Sequence, residues 1–258
     1  MTVVTLTTDF GLTDPFVGIM KGVLATRAPG VPVIDVSHGV PAQDVLAGAL
    51  VLRHAVPYFP RGSVHVAVVD PGVGTERRAL CVETAGGPLL GPDNGVLALA
   101  ASVLEIRRIV HLTEERFFLS PRGGTFHGRD VFAPVAAALA TGTSPSALGE
   151  TVADMTRVSV PAVRRDGERV TGAVVYVDRF GNLVTNIDMD TVAPFVGELA
   201  VRIGSHRISG VSRSYGAVER GALVAVVNSW GLVEIAARDG SAAAQLGGIG
   251  TPVVVERG

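Results

Sequence analysis

VAVVDPGVGTERRAL (residues 66–80) sets Val66, Ala67, Val68 and Val69 directly before an aspartate, a Pro-Gly-Val-Gly turn and two arginines. Four apolar residues in a row read as a strand buried on both faces, and Asp70 with the glycine turn reads as its carboxyl edge. Open α/β sheets place their ligands at that edge. The stretch is therefore a candidate site as well as a strand. A carboxylate so close to apolar strand residues is costly to bury unless it is paired, so a purely structural Asp70–Arg77 ion pair fits the same residues.

Working outward, short β-branched runs alternate with helical patterns through the first half. Strands are expected at 3–7, 33–36, 64–69, 79–83 and 109–112, and helices at 14–27, 43–59, 95–104 and 130–141. This alternation predicts parallel βαβ units, hence a doubly wound, mostly parallel sheet with helices on both faces. The first helix has Asp14 as expected N-cap, Pro15 at the first helical position, and a buried stripe of Phe16, Ile19, Met20, Val23 and Leu24. Between 141 and 172 the texture turns to Ser, Thr, Pro, Gly and charge, and the later segments are short strands between glycine-rich turns, at 170–177, 183–187, 199–203, 222–227, 232–237 and 252–256. The expected organisation is an α/β domain over 1–163 and a small antiparallel β-barrel or sandwich domain over 164–258.

With 258 residues and 47% hydrophobic content, the chain supports a substantial core. A formal net charge of −2, without clustered Lys and Arg, argues against a nucleic-acid partner. The start resembles no signal peptide and no apolar run approaches the roughly 20 residues of a membrane span, so a cytoplasmic protein without membrane association is expected. Cys81 is the single cysteine. It forms no intrachain disulfide, offers no thiolate cluster for a metal, and reads as a small core residue.

Five polar clusters interrupt the apolar pattern: Thr8 to Gly11, Asp35 to His38, Asp70 to Gly72, Gly91 to Gly95, and Phe126 to Asp130. Each also has a structural reading, as a turn, a brace or a helix cap. A divalent ion gathered by Asp9, Asp14, Asp70, Asp93, Asp130 and His127 would make a phosphoesterase. However, no HxH, HExxH, DxD or EF-hand spacing is present. There is no GxSxG elbow and no Walker A, and Gly72-Val73-Gly74 lacks the GxGxxG fingerprint.

Taken together, TLTTDFG (5–11), DVSHGV (35–40), VVDPGVGTERRA (68–79), GPDNGVL (91–97), FHGRDVFAP (126–134), VDRFGNLVTNI (177–187) and NSWGLVEIA (228–236) resemble the S-adenosyl-L-methionine (SAM) hydroxide adenosyltransferases, relatives of the adenosyl-fluoride and adenosyl-chloride synthases. The resemblance implies an enzyme needing no metal or other cofactor, which splits SAM with water into adenosine and L-methionine. It further implies a homotrimer whose SAM site lies between the N-terminal domain of one subunit and the C-terminal domain of its neighbour. Its catalytic set falls on Asp70, Arg77 and His127. Its binding set falls on Asp9 for the ribose diol, on Phe180, Asn182, Ser229 and Glu234 for adenine and the methionine end, and on Asp178 for the methionine ammonium. Halogenating relatives lack the aspartate at position 70, which favours hydrolysis. They carry a basic residue where this chain has Trp230, which leaves the holder of the methionine carboxylate open. The competing expectations are the metal-dependent phosphoesterase and a SAM- or nucleoside-binding module without catalysis.

Overall fold

The computed structural model describes residues 2–193 and 199–257. The chain divides into two compact units, Met1–Val158 and Ser159–Gly258.

The first unit contains β1 (Val4–Thr8), α1 (Phe16–Arg27), β2 (Val33–Ser37), α2 (Val45–Ala55), β3 (Val64–Val68), β4 (Ala79–Thr84), β5 (Leu89–Pro92), α3 (Ala98–Leu104), β6 (Ile106–Leu112), α4 (Ala133–Ala140) and β7 (Gly149–Val152). They build one seven-stranded sheet in the order β2-β1-β3-β5-β4-β6-β7. The pairings from β2 through β5 are parallel, and those from β5 through β7 are antiparallel. The doubly wound sheet expected from the sequence is thus a mixed one. β1 and β3 are buried along their whole length, which fits their runs of apolar and Thr residues, broken only by the buried His65 of β3. Val4 and Leu6 of β1 and Val64, Val66 and Val68 of β3 face one core with Met20 and Leu24 of α1 and Phe132, Val135 and Leu139 of the α4 segment. On the opposite face, α2 comes so close to the sheet that a Cβ on Gly48 would stand 2.9 Å from Val69. Only glycine allows that approach.

Two helix expectations are corrected. α1 begins at Phe16 with Pro15 in the N-cap position, and no side chain caps it; Asp14 is exposed. Its buried residues are Val17, Met20 and Leu24, while Phe16 and Ile19 are 40% and 38% exposed. The helix packs on α4, which narrows its buried strip, and Phe16 turns instead to Phe10 and Phe126 in edge-on ring contacts. The helix expected over 130–141 is also two structures. A π-helical turn, Gly128–Phe132, runs directly into α4.

The second unit contains β8 (Arg164–Asp166), β9 (Arg169–Val177), β10 (Leu183–Asp188), α5 (Met189–Val192), β11 (Leu199–Ile203), β12 (His206–Ser209), β13 (Leu223–Val227), β14 (Leu232–Ala237), α6 (Ala242–Leu246) and β15 (Pro252–Arg257). Its strands pair antiparallel in the order β12-β11-β15-β9-β10-β14-β13, with β8 on β9, and curl into a nearly closed barrel around Val170, Val174, Leu183, Ile187, Val201, Ile235 and Val253. β8 and β12 are not among the expected strands. β8 is wholly exposed and β12 nearly so, and neither carries an apolar alternation to read.

Cys81 is fully buried in the sheet, and burial pushes its thiol up to about 12. Among the described residues no helix is long and apolar enough to cross a membrane.

Candidate active site

Thr8 and Val68 are partners in the parallel β1/β3 ladder. The two chains therefore leave the sheet at the same level and deliver Asp9 and Asp70 to one edge. Beyond Asp70 the backbone reverses through two successive turns, with Val73 N–H donating to the Asp70 carbonyl and Thr75 N–H to the Gly72 carbonyl. That reversal returns Arg77 to the aspartate. Its Nε donates to Asp70 Oδ1 at 3.0 Å and its Nη2 to Oδ2 at 2.5 Å, a bidentate pair with 10% and 4% of the two side chains exposed.

The same Nη2 lies 2.8 Å from Nδ1 of His127. Arginine has no acceptor atom, so Nδ1 accepts this bond and the ring proton of neutral His127 sits on Nε2. Burial, then the charges of Arg77 and Arg122, hold His127 below the ordinary imidazole range, against the opposing pull of Asp70 and Asp130. The imidazole is neutral at pH 7.

Asp9, Asp70 and His127 open onto a cavity of about 420 Å³, walled by Phe10, Phe16 and Phe126 and also lined by Gln43. Gln43 stands at φ 66, a left-handed conformation that non-glycine residues rarely adopt, and its N–H donates to Asp9 Oδ2 at 2.8 Å. A second cavity of about 210 Å³, which includes Arg77, His111, Arg122 and His127 in its lining, lies behind the pair.

The polar groups of the other clusters are engaged with partners of their own. Arg78, the neighbour of Arg77, points elsewhere, with Nε on Asp93 Oδ2 at 2.7 Å and Nη2 on Asp154 Oδ1 at 2.9 Å. Asn94 donates to the Val69 carbonyl and so braces the end of β3. His38 is buried with Nδ1 2.8 Å from Thr8 Oγ1, while its Nε2 lies 3.1 Å from Asp35 without hydrogen-bond alignment. Asp130 is paired with Arg129. Among the described residues no group of three or more His, Cys, Asp or Glu side chains is placed to hold a metal ion. Asp9, Asp70, Asp93 and Asp130 each already bind N–H donors.

In the second unit Asp178, Phe180 and Asn182 line a cavity of about 690 Å³ with Tyr215 and Arg238. Asp178 closes this turn. Its Oδ1 accepts the N–H groups of Phe180 and Asn182 at 2.9 and 2.8 Å, and its Oδ2 accepts the Asn182 side-chain amide at 2.8 Å. The turn holds Phe180 outward, 76% exposed. Glu234 does not line the cavity. It is 3% exposed, its Oε1 accepts from Tyr215 Oη at 2.8 Å, and its Oε2 accepts from Asn228 at 3.0 Å. Burial, then Glu234, pushes the Tyr215 phenol up to about 12. Ser229 is exposed, and Trp230 packs its ring 5.3 Å from Tyr176; neither lines this cavity. Gln43, Phe16, Phe126 and Tyr215 are absent from the candidate site residues read in the sequence. Phe126 lies inside a flagged cluster and Gln43 and Tyr215 lie beside flagged or turn-rich segments, whereas Phe16 reads only as part of a helical stripe.

Residues 4–149 match the family model described as the SAM hydroxide adenosyltransferase N-terminal domain, and residues 172–253 match that for the C-terminal domain. The chain belongs to the SAM hydroxide adenosyltransferase family. It is 44% identical over 248 residues to a protein of Salinispora tropica named (R)-S-adenosyl-L-methionine hydrolase, covering 95% of this chain and 93% of the other. A protein of the same name from Thermus thermophilus is 43% identical over 246 residues, 93% of each chain. A solved structure of an uncharacterized conserved protein from Thermotoga maritima superposes with a TM-score of 0.92 at 32% identity, over 99% of this chain and 100% of that one.

Proposed function

We propose that the protein hydrolyses S-adenosyl-L-methionine to adenosine and L-methionine, with preference for the (R)-sulfonium epimer that its named relatives act on. Water attacks ribose C5′, the C5′–S bond breaks with its electron pair going to sulfur, and one proton is released. The sulfonium leaves as a neutral thioether, so the leaving group needs neither an acid nor a metal. The difficulty lies in the nucleophile. Making free hydroxide from water of pKa 15.7 at pH 7 costs about 12 kcal/mol. Alignment of a bound water supplies up to about 7–11 kcal/mol in favourable cases. Asp70 accordingly orients the water and takes its proton late, as the C–O bond forms. Arg77 and neutral His127 fix that carboxylate and stabilise the charge that develops. Asp9 receives the ribose diol, whose two hydroxyls suit a carboxylate.

The observation that carries this reading is the Asp70–Arg77–His127 array at the mouth of a cavity that also holds Asp9. Phe180, Asn182, Asp178, Ser229 and Trp230 serve adenine and the amino-acid end. Glu234 serves that end through Tyr215. The working form is a cytoplasmic homotrimer in which the first unit of one subunit faces the second unit of a neighbour. The exposed Phe180 is consistent with such a partner.

The test is incubation of the purified protein with each SAM epimer, with EDTA, fluoride and chloride as separate additions, followed by chromatography. Adenosine and methionine in equal amounts, undiminished by EDTA and without a halogenated nucleoside, is the expected result. SAM bound tightly but never cleaved overturns it. Light scattering reads the trimer.

A further inference from the structure

His127 comes at the end of a loop, residues 118–127, that follows the 3-10 turn Glu115–Phe117 and has no strand or helix of its own. Loops of this kind move, whereas an imidazole serving a bound water must keep its place to a fraction of an ångström. Arg27 Nη2 on the Phe118 carbonyl at 3.3 Å and the buried Phe118 ring hold the start of this loop, and its middle is held by Asp130, which is 1% exposed and lies outside the cavity lining. Its backbone carbonyl accepts from Leu119 N–H at 2.8 Å, and its Oδ2 accepts from Gly123 N–H at 2.9 Å. Arg129 completes the carboxylate with Nε on Oδ1 at 2.6 Å and Nη2 on Oδ2 at 3.0 Å. The Arg129 guanidinium also stands 5.4 Å from the ring of Phe126, a wall of the cavity.

Two further features bear on the same loop. The π-helical turn Gly128–Phe132 begins immediately after His127, and such turns are frequent at functional sites. Gly74, at φ +80 in the loop that returns Arg77 to Asp70, lies so close to Gly124 that a Cβ would stand 2.3 Å from the Gly124 carbonyl oxygen. The loop bearing His127 and the loop bearing Arg77 are thus in contact, and Asp130 anchors one of them. A buried ion pair is weak evidence for stability in itself, since apolar groups of similar volume often replace it without loss.

We propose that Asp130, locked by Arg129, is a positioning residue for the hydrolysis: it pins the 118–127 loop so that His127 Nδ1 stays on the Arg77 guanidinium. This rests on the function proposed above. His127 is surrounded by Arg77 and Asp70 on the substrate side, by Arg122, His111 and Glu76 across the rear cavity, and by Asp130 beneath. Burial and Arg77 are the largest influences holding its pKa down, and Asp130 is the smallest of those raising it. Releasing the loop therefore moves the acid limb of the pH profile upward, toward the ordinary histidine value. Loss of the Asp130 charge alone would move it downward.

The experiment compares wild type, Asp130→Asn and Arg129→Ala for adenosine release, SAM affinity and pH profile, with melting curves establishing that each is folded. Asp130→Asn is expected to lower kcat by about 10- to 100-fold with KM within about twofold and the acid limb raised. Arg129→Ala changes the same quantities less and decides the matter if Asp130→Asn does not fold. Folded variants with wild-type kcat, or with a reduced kcat and a limb unmoved or lowered, overturn the proposal. A wild type that releases no adenosine overturns the hydrolase reading instead.

Discussion

The two units present their polar groups in different ways. At the edge of the parallel strands of the first unit, Asp70 is almost wholly buried and is held by side-chain charge, a bidentate arginine shared with an imidazole. In the barrel, Asp178 is held by the backbone of its own turn and Glu234 by a phenol and an amide. Electrostatic fixing at low exposure suits a centre where charge develops during reaction. Hydrogen-bonded turns suit recognition of a ligand's outline. On the function proposed above, the chemistry falls to the first unit, which also receives the ribose through Asp9, and the second unit serves binding alone.

The largest expected effect breaks the first half of this contrast. Asp70→Asn keeps the shape but removes the proton acceptor, and turnover should fall by about 10²–10⁴-fold while SAM still binds by calorimetry. Full turnover in that variant would remove Asp70 from the mechanism. Arg77→Lys comes next, since an ammonium cannot span both carboxylate oxygens and His127; kcat should drop by about 10²-fold. Its neighbour sharpens the point. Arg78→Ala should leave kcat within about twofold and lower stability by about 1 kcal/mol, because its partly exposed pairs with Asp93 and Asp154 are only structural. In the barrel, Tyr215→Phe should raise KM a few-fold with kcat intact and cost about 1 kcal/mol of unfolding free energy.

The pH dependence follows from His127. Its folded-state value is depressed, so the neutral form persists at pH 7 and below the ordinary value near 6.5. Activity and the stability linked to this group are present above that value and are lost as pH falls through the lower folded one. An acid limb that lies at or above the ordinary value in steady-state rates would show that His127 is not held as described.

Much of this was legible from residue order. Runs such as Val64–Val68 and Leu232–Ala237 announced themselves by apolar content. Asp70 was legible because a charge after an apolar strand has to be paired, and Arg77 because a glycine turn allowed the return. Burial was less readable. Phe16 and Ile19 fit a helical stripe, yet they lie outside the strip that α4 covers. Arg78 binds two carboxylates, one of them 76 residues away, a separation no local pattern encodes. The partner of Glu234 was not readable either: its carboxylate accepts from Tyr215, 19 residues earlier, which strand alternation does not encode. The π-helical turn left no trace at all, since its residues look like an ordinary helix start.

The lone sulfhydryl of the chain is sealed inside the sheet at Cys81 and stays protonated far above neutrality. Thiol-directed dyes and spin probes therefore have nothing to react with on the folded molecule. A cysteine introduced near the rim of the cavity would be labelled by itself, which makes the protein a clean reporter for watching its own substrate arrive.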